Sequence, residues 1–145
     1  MSALDARRLT LGNELIELDR LAPWIKELTE TNISPNMSFA VQVCLEEVAA
    51  NIIMYGAIND ERLQISVELE RVGETLLARI SDNGREFDPT QAPPPTVAAS
   101  LKEAKVGNLG IHLTRSFASS VDYERRVGVN RLTLRFIEPQ EVLLQ

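Results

Sequence analysis

Residues 38–55 read Ser-Phe-Ala-Val-Gln-Val-Cys-Leu-Glu-Glu-Val-Ala-Ala-Asn-Ile-Ile-Met-Tyr, a stretch that is apolar on nearly every side when placed on a helix. Ser38 is a residue type that commonly caps the start of a helix, and Gly56 follows the stretch where a helix commonly ends. A helix that is apolar all round belongs in the interior of a fold. The sequence therefore predicts a central, largely buried helix over residues 38–55.

Apolar periodicity predicts the other elements around this helix. Alternating apolar residues on both sides of Gly73-Glu74 are typical of a hairpin, and many Gly and Pro residues after Ser81 are typical of a long functional loop. Before the helix, Ser34-Pro35-Asn36 is interpreted as a break in the chain. The predicted elements are a weak strand at 7–13, a helix at 14–31, strands at 63–72 and 75–81, a loop at 82–110, a helix at 111–118, and strands at 121–126 and 131–137 joined by residues 127–130.

This order of elements predicts an α+β fold, a two-layer sandwich in which helices cover one face of a mixed, mostly antiparallel sheet. The chain has 145 residues, of which 44% are hydrophobic and 25% charged, values typical of one folded domain. We therefore expect a single domain spanning residues 1–145. Disordered and fibrous classes of protein are excluded by this composition.

Charge and cysteine content restrict the partners and the compartment. The formal net charge is −6, which disfavours binding to a nucleic-acid backbone. Cys44 is the only cysteine, so an intrachain disulfide is impossible and a reducing compartment is expected. No run is interpreted as a membrane span of about 20 apolar residues. We expect a cytoplasmic protein that contacts neither nucleic acid nor a membrane.

Glu47, Asn51 and Tyr55 follow one another at intervals of four residues and so lie on one side of the predicted helix. One interpretation is that this side simply faces solvent. However, their neighbours are apolar, and carboxylate and amide groups in such surroundings need polar partners. An amide oxygen one turn beyond a carboxylate can bind a hard divalent cation while the carboxylate takes a proton.

Asp82-Asn83-Gly84 comes directly after a predicted strand, and alone it is often only a tight turn. The functional interpretation is that Asp82 accepts a hydrogen bond from an exocyclic amine of a ligand. Gly84 would then let a flat base approach the backbone closely. Phe87, followed by Asp88-Pro89, would begin a lid over this base.

Gly107-Asn108-Leu109-Gly110 ends the long loop and precedes the predicted helix 111–118. Backbone amides in such a position can bind phosphate oxygens. A single Gly-x-x-Gly is also found in ordinary flexible loops, and the absence of a following Gly-Lys-Ser/Thr excludes a P-loop. Its position after the Asp-x-Gly turn favours the functional interpretation.

Taken in order, the three segments resemble the N, G1 and G2 boxes of the GHKL ATPase superfamily, which has the Bergerat or histidine-kinase-like fold. The resemblance is strongest to its branch of bacterial anti-sigma-factor serine/threonine kinases. It extends through the closing Asn130-Arg-Leu-Thr-Leu segment. The matching segments are Glu47-Val-Ala-Ala-Asn51, Asp82-Asn-Gly-Arg-Glu-Phe-Asp-Pro89 and Gly107-Asn-Leu-Gly-Ile-His-Leu113.

The resemblance implies an ATP-dependent, Mg²⁺-dependent protein kinase. It implies that Glu47 is the general base for a substrate serine, that Asn51 ligates Mg²⁺, and that Asp82 binds adenine. Nucleotide contacts are also implied for Tyr55, Gly84, Phe87, Gly107, Asn108, Leu109 and Gly110. The implied partners are a STAS-type anti-anti-sigma protein, a sigma factor or similar regulator, and a second copy of the chain.

Three residues depart from the pattern of the family and motivate an alternative function. Tyr55 stands where many relatives have His, Glu86 where many have the second Gly of the G1 box, and Asn108 where a Gly is usual in the G2 box. None of these three departures removes a group that is expected to contact the metal or the adenine. The alternative is a nucleotide-sensing regulatory module of the same fold that transfers no phosphate.

Overall fold

The computed structural model describes residues 6–29, 33–56, 63–88 and 117–137. It has five strands, two α-helices and one short 3-10 helix in this part of the chain. Their bounds are β1 (Arg7–Leu11), the 3-10 helix (Leu15–Arg20), α1 (Leu21–Thr29), α2 (Pro35–Tyr55), β2 (Ile65–Val72), β3 (Thr75–Asp82), β4 (Ser120–Arg126) and β5 (Val129–Ile137).

The five strands form one sheet in the order β1-β2-β3-β5-β4, and neighbouring strands are antiparallel throughout the described residues. Both predicted hairpins are confirmed. The second turn contains only Val127 and Gly128, both with positive φ, so β5 begins two residues earlier than predicted. Positive φ at both central residues is the conformation of tight two-residue hairpins.

Alternation along the strands gives the sheet two different faces. In β2, Ile65, Val67 and Leu69 are fully buried and belong to the same core cluster as apolar residues of both helices. Residues between them point the other way, where Glu68 pairs with Arg8 at 2.8 Å. The predicted α+β architecture is therefore confirmed, with an apolar face of the sheet packed against the helices and a charged face opposite.

The start of α2 differs from the prediction. Ser34 is the N-cap, and its hydroxyl accepts a hydrogen bond from the amide of Met37 at 3.2 Å. Pro35 is the first helical residue, a position where its fixed φ and missing N–H cost nothing. The predicted break is therefore confirmed at Ser34, whereas its extension over Pro35 and Asn36 and the predicted cap at Ser38 were wrong.

Residues 14–31, predicted as one helix, contain two. A 3-10 helix over Leu15–Arg20 leads directly into α1, which begins at Leu21 and includes Pro23 in its first turn. Leu21 and Ile25 of α1 are fully buried, whereas the 3-10 helix has no buried residue. The tighter segment thus connects β1 to the packed helix.

By length and composition alone, α2 would qualify as a membrane-spanning helix, contrary to the sequence interpretation. In the fold, Val41, Cys44 and Leu45 of this helix are fully buried in the core. Burial against the sheet accounts for an apolar composition of this kind, as it does in the core helices of soluble domains.

Part of the predicted organisation lies outside the described residues. This applies to the loop beyond residue 88, to residues 107–110, and to the predicted helix 111–118 except for Phe117 and Ala118. It also applies to residues 138–145.

Ser34→Ala is expected to lower the free energy of unfolding by about 1 kcal/mol, because the Met37 amide loses its capping oxygen. Ser34→Asp retains a capping oxygen and is the matched control, with stability close to that of the wild type. Urea denaturation of the three proteins measures the difference. Equal stability of Ser34→Ala and Ser34→Asp would contradict the assigned cap.

Candidate functional site

A cleft lies between the end of α2, the segment after β3 and the β4–β5 hairpin. Side chains of Val48, Ile52, Ile80 and Leu132 form apolar walls. The polar residues Asn51, Asp82 and Asn130 also line it, and they are the buried polar residues of the described chain. An apolar cleft with a few convergent polar groups is typical of a small-molecule site.

Asp82 is the last residue of β3 and is only 6% exposed. Its Oδ1 accepts hydrogen bonds from the Gly84 amide at 2.8 Å and from Asn130 Nδ2 at 3.0 Å. Burial raises the pKa of Asp82, while these two donors and the charge of Arg125 act in the opposite direction. Both of these donors bind Oδ1, so Oδ2 is the oxygen through which Asp82 can accept a hydrogen bond from a ligand.

The end of α2 contacts the turn after β3 through the backbone. The amide of Arg85 donates to the Gly56 carbonyl at 2.8 Å. A Cβ at Gly84 would lie 2.2 Å from this carbonyl oxygen, and a Cβ at Gly56 would lie 2.6 Å from the Ile52 oxygen. A glycine is therefore required at position 84 because the end of α2 approaches it closely, whereas the sequence predicted the approach of a flat base.

Asn51 and Tyr55 line the cleft one turn apart on α2, as their spacing predicted. Asn51 is buried, whereas Tyr55 is half exposed. Phe87 lines the cleft from the loop side. The fold thus brings Asn51 and Tyr55 of α2 together with Asp82 and Phe87, which belong to a separate segment of the sequence.

Glu47 lies one turn before Asn51 but does not line the described part of the cleft. Burial, followed by repulsion from Glu46, raises the pKa of Glu47. Burial also raises the pKa of Glu46, whose carboxylate accepts a hydrogen bond from Gln42 at 3.4 Å. A carboxyl group with a raised pKa is better suited to exchange protons near neutral pH than an exposed one.

Sequence analysis missed two polar residues of the site, Tyr123 and Asn130, and did not assign Arg125 to it. Asn130 stands directly opposite Asp82 in the β3–β5 register, and Arg125 stands directly opposite Asn130 in the β4–β5 register. The sequence prediction places residues 127–130 in the turn. The polar side chain of Asn130 beside an apolar strand is a sequence signal for a buried polar site. Its partner Asp82, however, follows only from the pairing of β3 with β5, which are distant in sequence.

Comparisons with known proteins identify the family and the fold of the chain. The family model for the histidine kinase-like ATPase domain matches residues 13–136. The serine/threonine-protein kinase BtrW of Bordetella bronchiseptica is 35% identical over 101 residues, which are 70% of this chain and 71% of that protein.

A solved structure of the RsbU and RsbW domains of Rv1364c from Mycobacterium tuberculosis has a TM-score of 0.63 and 14% sequence identity, and the match covers 96% of this chain. The match spans 34% of the length of that structure's chain. At this identity the similarity concerns the fold. Because the family model matches most of the sequence, the chain belongs to the histidine kinase-like ATPase domain family.

Proposed function

We propose that this protein is an ATP-dependent serine/threonine protein kinase of the anti-sigma-factor type. The observation that carries the proposal is the buried Asp82 carboxylate, held by two donors on Oδ1 in an apolar cleft. The 35% identity to the serine/threonine-protein kinase BtrW supports phosphoryl transfer as the reaction.

The residues of the cleft fit an adenine base. A carboxylate oxygen accepts a hydrogen bond from an exocyclic amine, as at N6 of adenine. Ile52, Ile80 and Leu132 supply apolar surface for the faces and edges of a flat ring. Asp82 therefore acts as the recognition group of the proposed nucleotide site.

Asn51 supplies a hard oxygen ligand of the kind that Mg²⁺ prefers. The described residues contain no cluster of three or more His, Cys, Asp or Glu side chains that could hold a metal ion. Mg²⁺ characteristically takes few protein ligands and several phosphate and water oxygens. The donor set thus fits an ion that enters with ATP, and its role there is to neutralise phosphate charge.

Glu47 is the proposed general base. It takes the proton of the substrate serine hydroxyl, while the serine oxygen bonds to the γ-phosphorus and the bond from that phosphorus to the β–γ bridging oxygen breaks. Such transfer depends mainly on positioning and charge neutralisation. The proposed phosphate-binding residues are Gly107, Asn108, Leu109 and Gly110. The residues proposed to contact the rest of the nucleotide are Tyr55, Gly84 and Phe87.

The proposed protein substrate is a STAS-type anti-anti-sigma protein, and the sequestered partner is a sigma factor or similar regulator. We also propose a cytoplasmic homodimer in which residues 1–145 form one domain. The exposed Leu15 and Ile16 of the 3-10 helix supply apolar surface for a second copy.

A second candidate is a nucleotide-sensing module that binds ATP without transferring phosphate. The observation in its favour is that Glu47 does not line the described part of the cleft, whereas Asn51 and Asp82 do. This candidate shares the nucleotide site and differs in the absence of a base near the γ-phosphate.

Asp82→Asn is expected to weaken ATP binding by tenfold or more, because an amide donor would face the adenine amine and an unmade buried hydrogen bond costs about 1–3 kcal/mol. Calorimetric titration with Mg-ATP measures this. Wild-type affinity in Asp82→Asn would contradict the assigned base contact.

The same variant is expected to fold with at least the stability of the wild type at pH 7. The pKa of Asp82 is higher in the folded state than its ordinary value of 3.8. As pH rises from 3.8 through the folded-state pKa, ionisation of this group therefore lowers the stability of the native state. The wild type should therefore gain stability relative to Asp82→Asn as pH falls from neutral toward 3.8. Thermal unfolding of both proteins across this pH range tests the sign.

Glu47→Gln is expected to slow phosphate transfer to the STAS-type partner by about 10²–10⁴-fold, because an amide cannot take the serine proton. ATP affinity should change little. Glu46→Gln is the matched control, since it removes an adjacent half-buried carboxylate whose pKa is also raised. Radiolabelled transfer at the wild-type rate by Glu47→Gln would refute the base, and no transfer by the wild type would favour the sensor.

Asn51→Ala is expected to weaken the Mg²⁺ dependence of ATP binding, because it removes the proposed protein ligand of the ion. The measurement is ATP affinity with and without Mg²⁺ in both proteins. An undiminished gain in affinity from Mg²⁺ in Asn51→Ala would show that the ion is held elsewhere.

A further inference from the structure

Three side chains of the β4–β5 hairpin hold the segment that follows β3. The Arg125 guanidinium donates to the Gly84 carbonyl at 2.7 Å, and Asn130 Nδ2 donates to the Arg85 carbonyl at 2.7 Å. The backbone of Phe87 is hydrogen-bonded to the Tyr123 hydroxyl. Residues 84–87 are thus anchored by a hairpin far away in sequence.

The register of the sheet explains why these side chains meet. Asp82, Asn130 and Arg125 occupy directly opposed positions on β3, β5 and β4, so their side chains form one row on one face. Tyr123 lies two residues from Arg125 and therefore on the same face. Both Tyr123 and Asn130 line the cleft.

Both donor hydrogens of the Asn130 amide bind protein partners, and its oxygen accepts from a third. Its Oδ1 accepts from the Tyr123 hydroxyl at 2.5 Å, and Nδ2 donates to Asp82 Oδ1 at 3.0 Å and to the Arg85 carbonyl at 2.7 Å. A primary amide has two hydrogens to donate, and both are used here. Asn130 therefore acts on a ligand through Asp82.

The hydrogen-bond partners of the Asn130 amide fix its orientation. The Asp82 carboxylate and the Arg85 carbonyl only accept hydrogen bonds, so a flipped amide would place its oxygen against two acceptor oxygens. The Tyr123 hydroxyl donates to Asn130 Oδ1 and adds to the preference for this orientation. Tyr123 thus supports Asn130, and Asn130 holds Asp82.

We propose that Tyr123 and Asn130 are positioning residues that hold the Asp82 carboxylate with one oxygen directed to protein donors and the other left for the base, and thereby set selectivity for adenine over guanine. The inference rests on the proposed nucleotide site. Adenine presents an amine where guanine presents the O6 acceptor. A fixed carboxylate accepts from the first and repels the second.

The charges around Asp82 support this assignment. Arg125 on β4 favours the ionised form, as do the donors Asn130 and Gly84, while burial opposes it. Tyr55 on α2 and Arg85 on the loop line the same cleft, and the β2 residue opposite Asp82 is the uncharged Ile65. On the same loop, Glu86 and Asp88 act electrostatically on Tyr123. Loss of the Asn130 donor would therefore favour a protonated Asp82, which can donate to guanine O6.

The first test needs no ligand. The carbon resonance of the Asp82 carboxyl group is titrated by NMR in the wild type, Asn130→Ala, Tyr123→Phe and Val121→Ala. We expect the Asp82 pKa to rise in Asn130→Ala and to rise less in Tyr123→Phe. Val121→Ala is the control for general loosening of β4, because Val121 packs against the core outside the cleft, and it should leave the titration unchanged.

The second test compares ATP with GTP by calorimetry across pH in the same proteins. Asn130→Ala should lose about tenfold or more in ATP affinity and in the ATP-to-GTP ratio. The acid limb of ATP binding should move to higher pH. Tyr123→Phe, which keeps the aromatic ring, should change both quantities in the same direction.

Specific outcomes overturn the inference. The inference is wrong if Tyr123→Phe or Asn130→Ala folds and keeps the wild-type Asp82 titration and the wild-type ratio of ATP to GTP affinity. That result would not contradict the proposed nucleotide site. If Asn130→Ala does not fold, Tyr123→Phe decides alone. A wild type that binds no ATP instead contradicts the proposed function, and the selectivity claim with it.

Discussion

A carboxylate that is removed from water must be given hydrogen-bond donors, and the burial of Asp82 imposes this requirement on the whole cleft. Two donors meet it, the Gly84 amide within the following turn and the Asn130 side chain on β5. The first requires a tight turn directly after β3. The second requires β5 to pair with β3 in one register, so a local turn and a distant strand are linked through one side chain.

The same turn sets how closely α2 can approach. The Gly56 carbonyl accepts from Arg85 and lies where a Cβ of residue 84 would otherwise be. Because α2 ends against this turn, Asn51 and Tyr55 face the same cleft as Asp82. The carbonyls of residues 84 and 85 are in turn held by Arg125 and Asn130. The site is therefore a junction of helix end, turn and hairpin, held by hydrogen bonds to backbone groups.

Burial of polar groups at this junction is a cost that core packing must offset. Asn51, Asp82 and Asn130 are the buried polar residues of the described chain, and all three line one cleft. Elsewhere the described core is apolar, and charged pairs such as Arg79 with Glu70 lie on the opposite face of the sheet. The proposed nucleotide site accounts for this concentration of buried polar groups in one cleft, and the family match is consistent with the proposal.

Sequence by itself determined the elements whose signal is local. Alternation predicted the two hairpins, apolar character predicted α2, and four-residue spacing placed Asn51 and Tyr55 on one side of it. The Asp82-Asn83-Gly84 turn was also visible. The cap at Ser34, followed by Pro35, is also a local signal, which the sequence prediction misassigned to Ser38. Tertiary structure alone decided that Gly84 makes room for a helix end, and that Tyr123, Arg125 and Asn130 belong to the site. Periodicity reports which face of an element is apolar, whereas opposition across strands depends on a register between segments about 50 residues apart.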